Sequence, residues 1–295
     1  MLDFRKRLAD PDLIILDGAM GTMLEDRGIS TEGPAWSARA LLEAPESISS
    51  IHRDYVEAGA EIITANTFRT QQRSLGKQGW AGRALELTQK AVFLAKEAAL
   101  QSDMDVFVAG SMAPLEDCYR PDLVPSRMDL ETEHLLHAEN LAKAGVDFFL
   151  IETMNSIQEA VAAGKAATQV GLPFGISFVC NDAGKLLSGE SLGDAMAAIE
   201  PNMPDFVGIN CVPSAVLNHS INNLVASTNL PIAAYGNIGY HEDFLSWHNT
   251  RDYNFEEYSE ETMNWKSPQL KLLGGCCGTQ PGHIHALHSA HNKEK

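Results

Sequence analysis

Long apolar runs are missing from this sequence: no stretch reaches the roughly 18 uninterrupted apolar residues that a membrane-spanning helix needs. Basic residues are scarce too. Lysine and arginine number 22 against 39 aspartates and glutamates, for a formal charge of −17. Charge of that sign is repelled by phosphate, so no nucleic acid and no membrane surface is expected as a partner, and a small-molecule substrate fits better. Cysteines are few and odd in number, five in 295 residues, and MLDFRKRLADPD at the N-terminus has no apolar segment behind its basic residues. A disulfide framework is therefore not expected, and the reading is a cytoplasmic protein with thiols available for metal or catalysis. Hydrophobic residues at 44% and charged residues at 21% are the mixture of an ordinary globular protein, which excludes disorder and a fibrous class.

What is present is a repeat of short apolar runs rich in β-branched residues, at starts 25 to 48 residues apart. Eight strands are expected: Leu13–Asp17, Glu61–Asn66, Val106–Ser111, Phe148–Thr153, Phe174–Val179, Phe206–Cys211, Pro231–Gly236 and Leu270–Cys276. Near-continuous apolarity suits parallel strands covered on both faces. Amphipathic helical patterns lie between them, such as Leu85, Thr88, Val92, Ala95 and Ala99. Gly59, Gly145 and Gly171 stand where helices end, and Ser156 with Glu159 forms a capping-box signature after the fourth strand. Strand and helix alternating eight times predict an α/β chain folded as a single (β/α)8 TIM-type barrel over residues 1–295. The acidic, aromatic stretch from about Tyr240 to Pro268 is either a lid over the active site or a solvated connection.

In such a barrel every strand C-terminus opens on one face, so the residues that end the strands matter most. Here they are Asp17-Gly18, Asn66, Glu152-Thr153, Asn210-Cys211, the region of Asn237, and Gly274-Gly275-Cys276-Cys277-Gly278. Cys211, Cys276 and Cys277 thus converge on one rim. Three thiolates with an open fourth position describe a zinc site that still accepts a ligand, and electron-rich sulfur donors suit holding a nucleophilic thiolate better than activating water. The chemistry implied is alkyl transfer to a metal-bound thiol, with no general base on the enzyme. Asp17 and Glu152 fit the ammonium of a zwitterionic thiol, and N–H groups of the Gly18–Gly21 turn fit its carboxylate. Asn66, at the end of the second strand, is counted with these substrate-binding residues. Cys118 and Cys180 read as incidental, and His283, His285, His288 and His291 as packing or solvated positions on an outer helix.

LDGAMGTMLEDRG, AWSARALLEAPE, YVEAGAEIITANTFRT, LIETM, ISFV, GINC and GGCCGT, spread over nearly the whole chain, resemble the zinc-dependent homocysteine S-methyltransferases. That family takes in betaine and S-methylmethionine enzymes and the homocysteine module of cobalamin-dependent methionine synthase. The resemblance implies zinc on Cys211, Cys276 and Cys277, and homocysteine held around Asp17, Gly18 and Glu152. It also implies an oxygen in the fourth zinc position until the thiol arrives, supplied by Asn237 of YGNIG; Thr153 stands where betaine enzymes carry a tyrosine for that purpose. Trp36 and Phe68 match donor-side aromatics able to hold an onium methyl group, while Arg69 replaces a second aromatic and argues against a betaine cage. The implied reaction makes methionine from homocysteine and a small donor of the S-methylmethionine or S-adenosylmethionine type. The chain would act as a stand-alone enzyme, a homo-oligomer, or a component with a corrinoid-protein partner. The alternatives are a methyltransferase acting on another thiol and a non-catalytic zinc-binding regulatory barrel.

Overall fold

The computed structural model describes residues 3–242, 246–248, 253–265 and 267–293. All eight expected strands form, as β1 (Ile14–Ile15), β2 (Ile62–Ala65), β3 (Phe107–Met112), β4 (Phe148–Met154), β5 (Phe174–Phe178), β6 (Phe206–Pro213) and β7 (Ile232–Asn237), then, after a short antiparallel hairpin of β8 (Tyr240–Glu242) and β9 (Ser246–His248), β10 (Leu270–Gly275). The order of the large sheet is β1-β10-β7-β6-β5-β4-β3-β2, with every pairing parallel. Its two edges meet. Glu61 N donates to Ile15 O at 2.8 Å and Asp17 N to Ile62 O at 2.9 Å, with Leu16 paired to Ile62, so the sheet closes into a (β/α)8 barrel.

Because side chains alternate along a strand, each strand feeds two cores. Ile14, Leu16, Ile62, Phe107, Phe148, Leu150, Phe206 and Leu272 pack together inside the barrel. Ile15, Ile63, Val108, Phe149, Ile151, Val207 and Leu273 belong to the larger core that takes in the surrounding helices.

The N-terminal residues do more than the sequence reading asked of them. Phe4–Ala9 is a helix capped by Asp3, and it shuts the end of the barrel where the strands begin. The Phe4 ring stacks on Phe148 at 3.9 Å between centroids and meets Phe107 and Phe206 edge-on at 5.6 and 5.9 Å. Arg5 and Arg7 tie the same helix to Asp205 and Glu61. Phe4→Ala is expected to cost about 3 kcal/mol, the usual loss for a buried aromatic truncated to alanine. Urea unfolding checks it, and a loss below about 1 kcal/mol would mean that the strand side chains close this end without the plug.

Gly145 and Gly171 end their helices in the left-handed conformation, at φ +88° and +87°, as expected. Ser156 does cap the helix Ile157–Val170 by accepting from Glu159 N. The Glu159 carboxylate, however, turns away from the cap. It accepts from Leu115 N at 2.7 Å and contacts His134 Nε2 at 3.1 Å, and so holds the loop after β3.

Within the Tyr240–Pro268 stretch, the helix Phe255–Met263 carries a capping box of Asn254 and Glu257 and buries Tyr258, whose hydroxyl donates to Gly274 O at 2.8 Å. Among the described residues, none of this stretch lines the cavity at the barrel mouth. Residues 243–245, 249–252 and 266 lie outside the described residues. Among the described residues no helix is long and apolar enough to cross a membrane.

Candidate metal centre and substrate cavity

The end of β6 is bent to present a sulfur. Its pairing with β7 shifts register between Asn210 and Pro213, and Cys211 within that shift has φ +56°. Thr153 at the end of β4 repeats the feature, with φ +60° beside a register shift against β5. Side chains other than glycine resist this conformation, at a cost of about 1–3 kcal/mol each, so surrounding bonds must hold it. Asn210 does so for Thr153: its Oδ1 accepts from Thr153 N and its Nδ2 donates to Thr153 Oγ1, each at 2.9 Å, which also ties the residue next to Cys211 to the end of β4.

Cys276 and Cys277 follow β10 directly. Cys276 N donates to Gly236 O at 2.8 Å and Ile238 N to Cys277 O at 2.9 Å, which fixes the pair beside the end of β7. Gly274 allows the approach, since a Cβ there would come within 2.8 Å of Asp17 O. The three sulfurs lie within 4.8 Å of one another, Cys211 and Cys277 at 3.8 Å, and none is in a disulfide. The contact with the Cys211 sulfur, reinforced by burial, pushes the Cys276 and Cys277 thiols well above their ordinary range. Such a set ionises together only beside a cation, so the donors fit a thiophilic metal. Among the described residues no second group of this kind forms.

A cavity of about 690 Å³ opens over this set and is lined by Asp17, Gly18, Trp36, Asn66, Phe68 and Glu152 together with all three cysteines. Asp17 is buried; it accepts from Thr64 N at 2.7 Å and from Thr64 Oγ1 at 3.0 Å, while burial raises its pKa to about 7. Glu152 is buried too and accepts from Ser111 Oγ, and burial followed by the negative charges of Cys211 and Asp17 raises its pKa to about 8. Two carboxyls held this way gain most from an organic cation placed between them and water.

Every substrate residue expected from the sequence therefore reaches one cavity, in differing capacities. Asn66 is committed to the chain: it accepts from Ser37 Oγ at 2.6 Å and donates to Ser37 O at 2.9 Å, which anchors the Trp36 segment. Trp36 and Phe68 meet edge to face at 5.4 Å. Arg69 covers Phe68 at 4.9 Å from the ring centre and donates to Pro114 O and Glu116 O, both at 2.8 Å. Asn237 is buried at the end of β7 between the backbone contacts of Cys276 and Cys277, and its Oδ1 has no hydrogen-bond partner. Asn237 does not line the cavity, but a buried oxygen left without a partner is open to a ligand.

Sequence reasoning missed Tyr119, whose hydroxyl is 3.1 Å from Cys211 Sγ, and Thr279, which donates to Cys276 O at 2.7 Å and accepts from Ala19 N at 3.2 Å. It also set Cys118 apart, yet Cys118 lines the cavity. Only the GGCCGT motif gave a signal for any of these. Cys180 is buried beneath the loop paired at Leu186, and His283 packs its ring against Phe255 and Tyr258, as expected of residues outside the site.

The family model described as homocysteine S-methyltransferase matches residues 14–291. The homocysteine S-methyltransferase of Escherichia coli is 31% identical, with 96% of each chain covered. The selenocysteine Se-methyltransferase of Brassica oleracea is 28% identical over 93% of this chain and 87% of that protein. Among solved structures, the metallated form of the E. coli homocysteine methyltransferase MmuM superposes with a TM-score of 0.85 at 28% identity, covering 97% of this chain and 99% of that one.

Proposed function

Since this chain belongs to the homocysteine S-methyltransferase family, we propose that it methylates homocysteine to methionine, taking the methyl group from a small onium donor, on zinc held by Cys211, Cys276 and Cys277. The observation that carries this reading is the convergence of three sulfurs and two buried carboxylates on one cavity. When bound, zinc supplies a substrate thiol kept deprotonated at neutral pH. Asn237 Oδ1 is assigned to the fourth ligand position before the thiol arrives.

Residues 1–295 act here as one homocysteine-binding barrel. Asp17 and Glu152 take the ammonium of homocysteine, and N–H groups of the turn that starts at Gly18 take its carboxylate. Ala19 N is excluded from that role by its bond to Thr279. Trp36 and Phe68 face the donor, with Arg69 already lying on the Phe68 ring. A cationic donor carries its own neutral leaving group, so a single displacement by the homocysteine thiolate needs positioning rather than acid catalysis. We place the protein in the cytoplasm, where thiols stay reduced.

The test is methionine formation by the zinc-loaded chain from homocysteine with S-methylmethionine, S-adenosylmethionine, betaine or a methylcorrinoid. A sulfonium donor is expected to be used at least about tenfold better than betaine, because with Arg69 in place of a second aromatic the Trp36–Phe68 pair has too few ring faces to enclose a quaternary ammonium. Turnover with the methylcorrinoid alone would favour a corrinoid-partnered component, and none with any donor would favour a non-catalytic zinc barrel.

A further inference from the structure

Tyr119 belongs to no strand end and no motif, yet its hydroxyl is 3.1 Å from Cys211 Sγ and 3.4 Å from the Cys211 carbonyl oxygen. It sits on the loop between β3 and the helix Arg127–Ala144, and the loop is pinned from several sides. Asp117 Oδ1 accepts from Tyr119 N at 2.9 Å, Asn155 Nδ2 donates to Cys118 O at 3.0 Å, Arg69 holds Pro114 O and Glu116 O, and buried Glu159 holds Leu115 N. The phenol's place beside the sulfur is thus built into the fold.

A metal-bound cysteine sulfur carries no proton, so across this contact the phenol is the donor and the thiolate the acceptor. The carbonyl oxygen is farther and neutral, and a charged acceptor takes the stronger bond. A site that holds cysteine thiolates beside an electrophilic methyl group faces a side reaction. Cys211 sulfur can attack the donor: a new S–CH3 bond forms on Cys211, the donor's own C–S bond breaks, and its electron pair leaves on a neutral thioether. Cys211 would then be a thioether, no longer an anionic ligand.

We propose that Tyr119 is a positioning residue that makes methyl transfer selective, its O–H bond to Cys211 Sγ shielding that thiolate so that the methyl group goes to the substrate sulfur. This inference rests on reading the cavity as a methyl-transfer site. A hydrogen bond to a thiolate stabilises its lone pair and slows alkylation of that sulfur and of no other.

The zinc-loaded full chain is treated with methyl iodide without homocysteine, and methylation of Cys211, Cys276 and Cys277 is timed by peptide mass. In Tyr119→Phe, Cys211 is expected to be methylated at least about tenfold faster than in the unaltered chain, with Cys276 and Cys277 unchanged. An unchanged Cys211 rate, or equal acceleration at all three sulfurs as from a merely opened cavity, overturns the proposal. Should Tyr119→Phe not fold, 3-fluorotyrosine at position 119, a stronger donor, is expected to slow Cys211 methylation; an equal or faster rate overturns it. Methyl iodide requires no natural donor, so this result stands apart from whether the chain makes methionine.

Discussion

Cys276→Ser and Cys277→Ser are each expected to lose bound zinc and to reduce methyl transfer to background. Serine keeps the size of the side chain but offers a neutral hydroxyl in place of a thiolate. Loss of an outer partner of a ligand already costs about 10- to 100-fold in metal affinity, and loss of a ligand itself should exceed that. Metal content by mass spectrometry and methionine formation measure the two effects together. Both variants keeping full metal and full activity would remove the site assignment. The barrel should survive, because the backbone bonds of Cys276 N to Gly236 O and of Ile238 N to Cys277 O do not involve the sulfurs.

Glu152→Gln is expected to raise the homocysteine KM by about 10- to 100-fold while zinc stays bound. The amide keeps the shape and the Ser111 contact but not the charge that meets the ammonium, and a hydrogen bond between charged groups is worth roughly 1.5–3 kcal/mol. The pH dependence has a definite sign. Burial raises the Glu152 pKa to about 8, so at neutral pH most of the free enzyme holds this carboxyl protonated, and binding the ammonium requires its ionised form. KM should therefore fall as pH rises through the titrations of Asp17, near 7, and Glu152, near 8, and in Glu152→Gln only the part centred near 7 should remain. Zinc loss with an unchanged homocysteine KM would mean that Glu152 serves the metal instead.

The barrel and the convergence of its three thiols were legible because their signals are local. Apolar runs with β-branched residues mark parallel strands, and the strand ends Asp17, Glu152, Cys211 and Cys276 reach one face by topology alone. Residues that act through loops were not legible. Tyr119 reaches Cys211 across 92 positions, and only the fixing of its loop by Glu159 and Arg69 brings it there. Glu159 itself misled, since its spacing from Ser156 matches a capping box and its tertiary contact proved stronger. Asn66 shows the same limit: its strand-end position puts it at the cavity, but gave no sign that its amide also holds Ser37. Phe4 lacked a pattern because one aromatic on a six-residue helix gives no periodicity.

In the proposed reaction the substrate thiol takes the open position on a metal held by Cys211, Cys276 and Cys277. Zinc-edge X-ray absorption of the loaded chain, before and after homocysteine, tests it most directly. Three sulfurs and one lighter atom are expected at zinc without homocysteine, and four sulfurs with it. A coordination shell that does not change on adding homocysteine at concentrations that support turnover would contradict it.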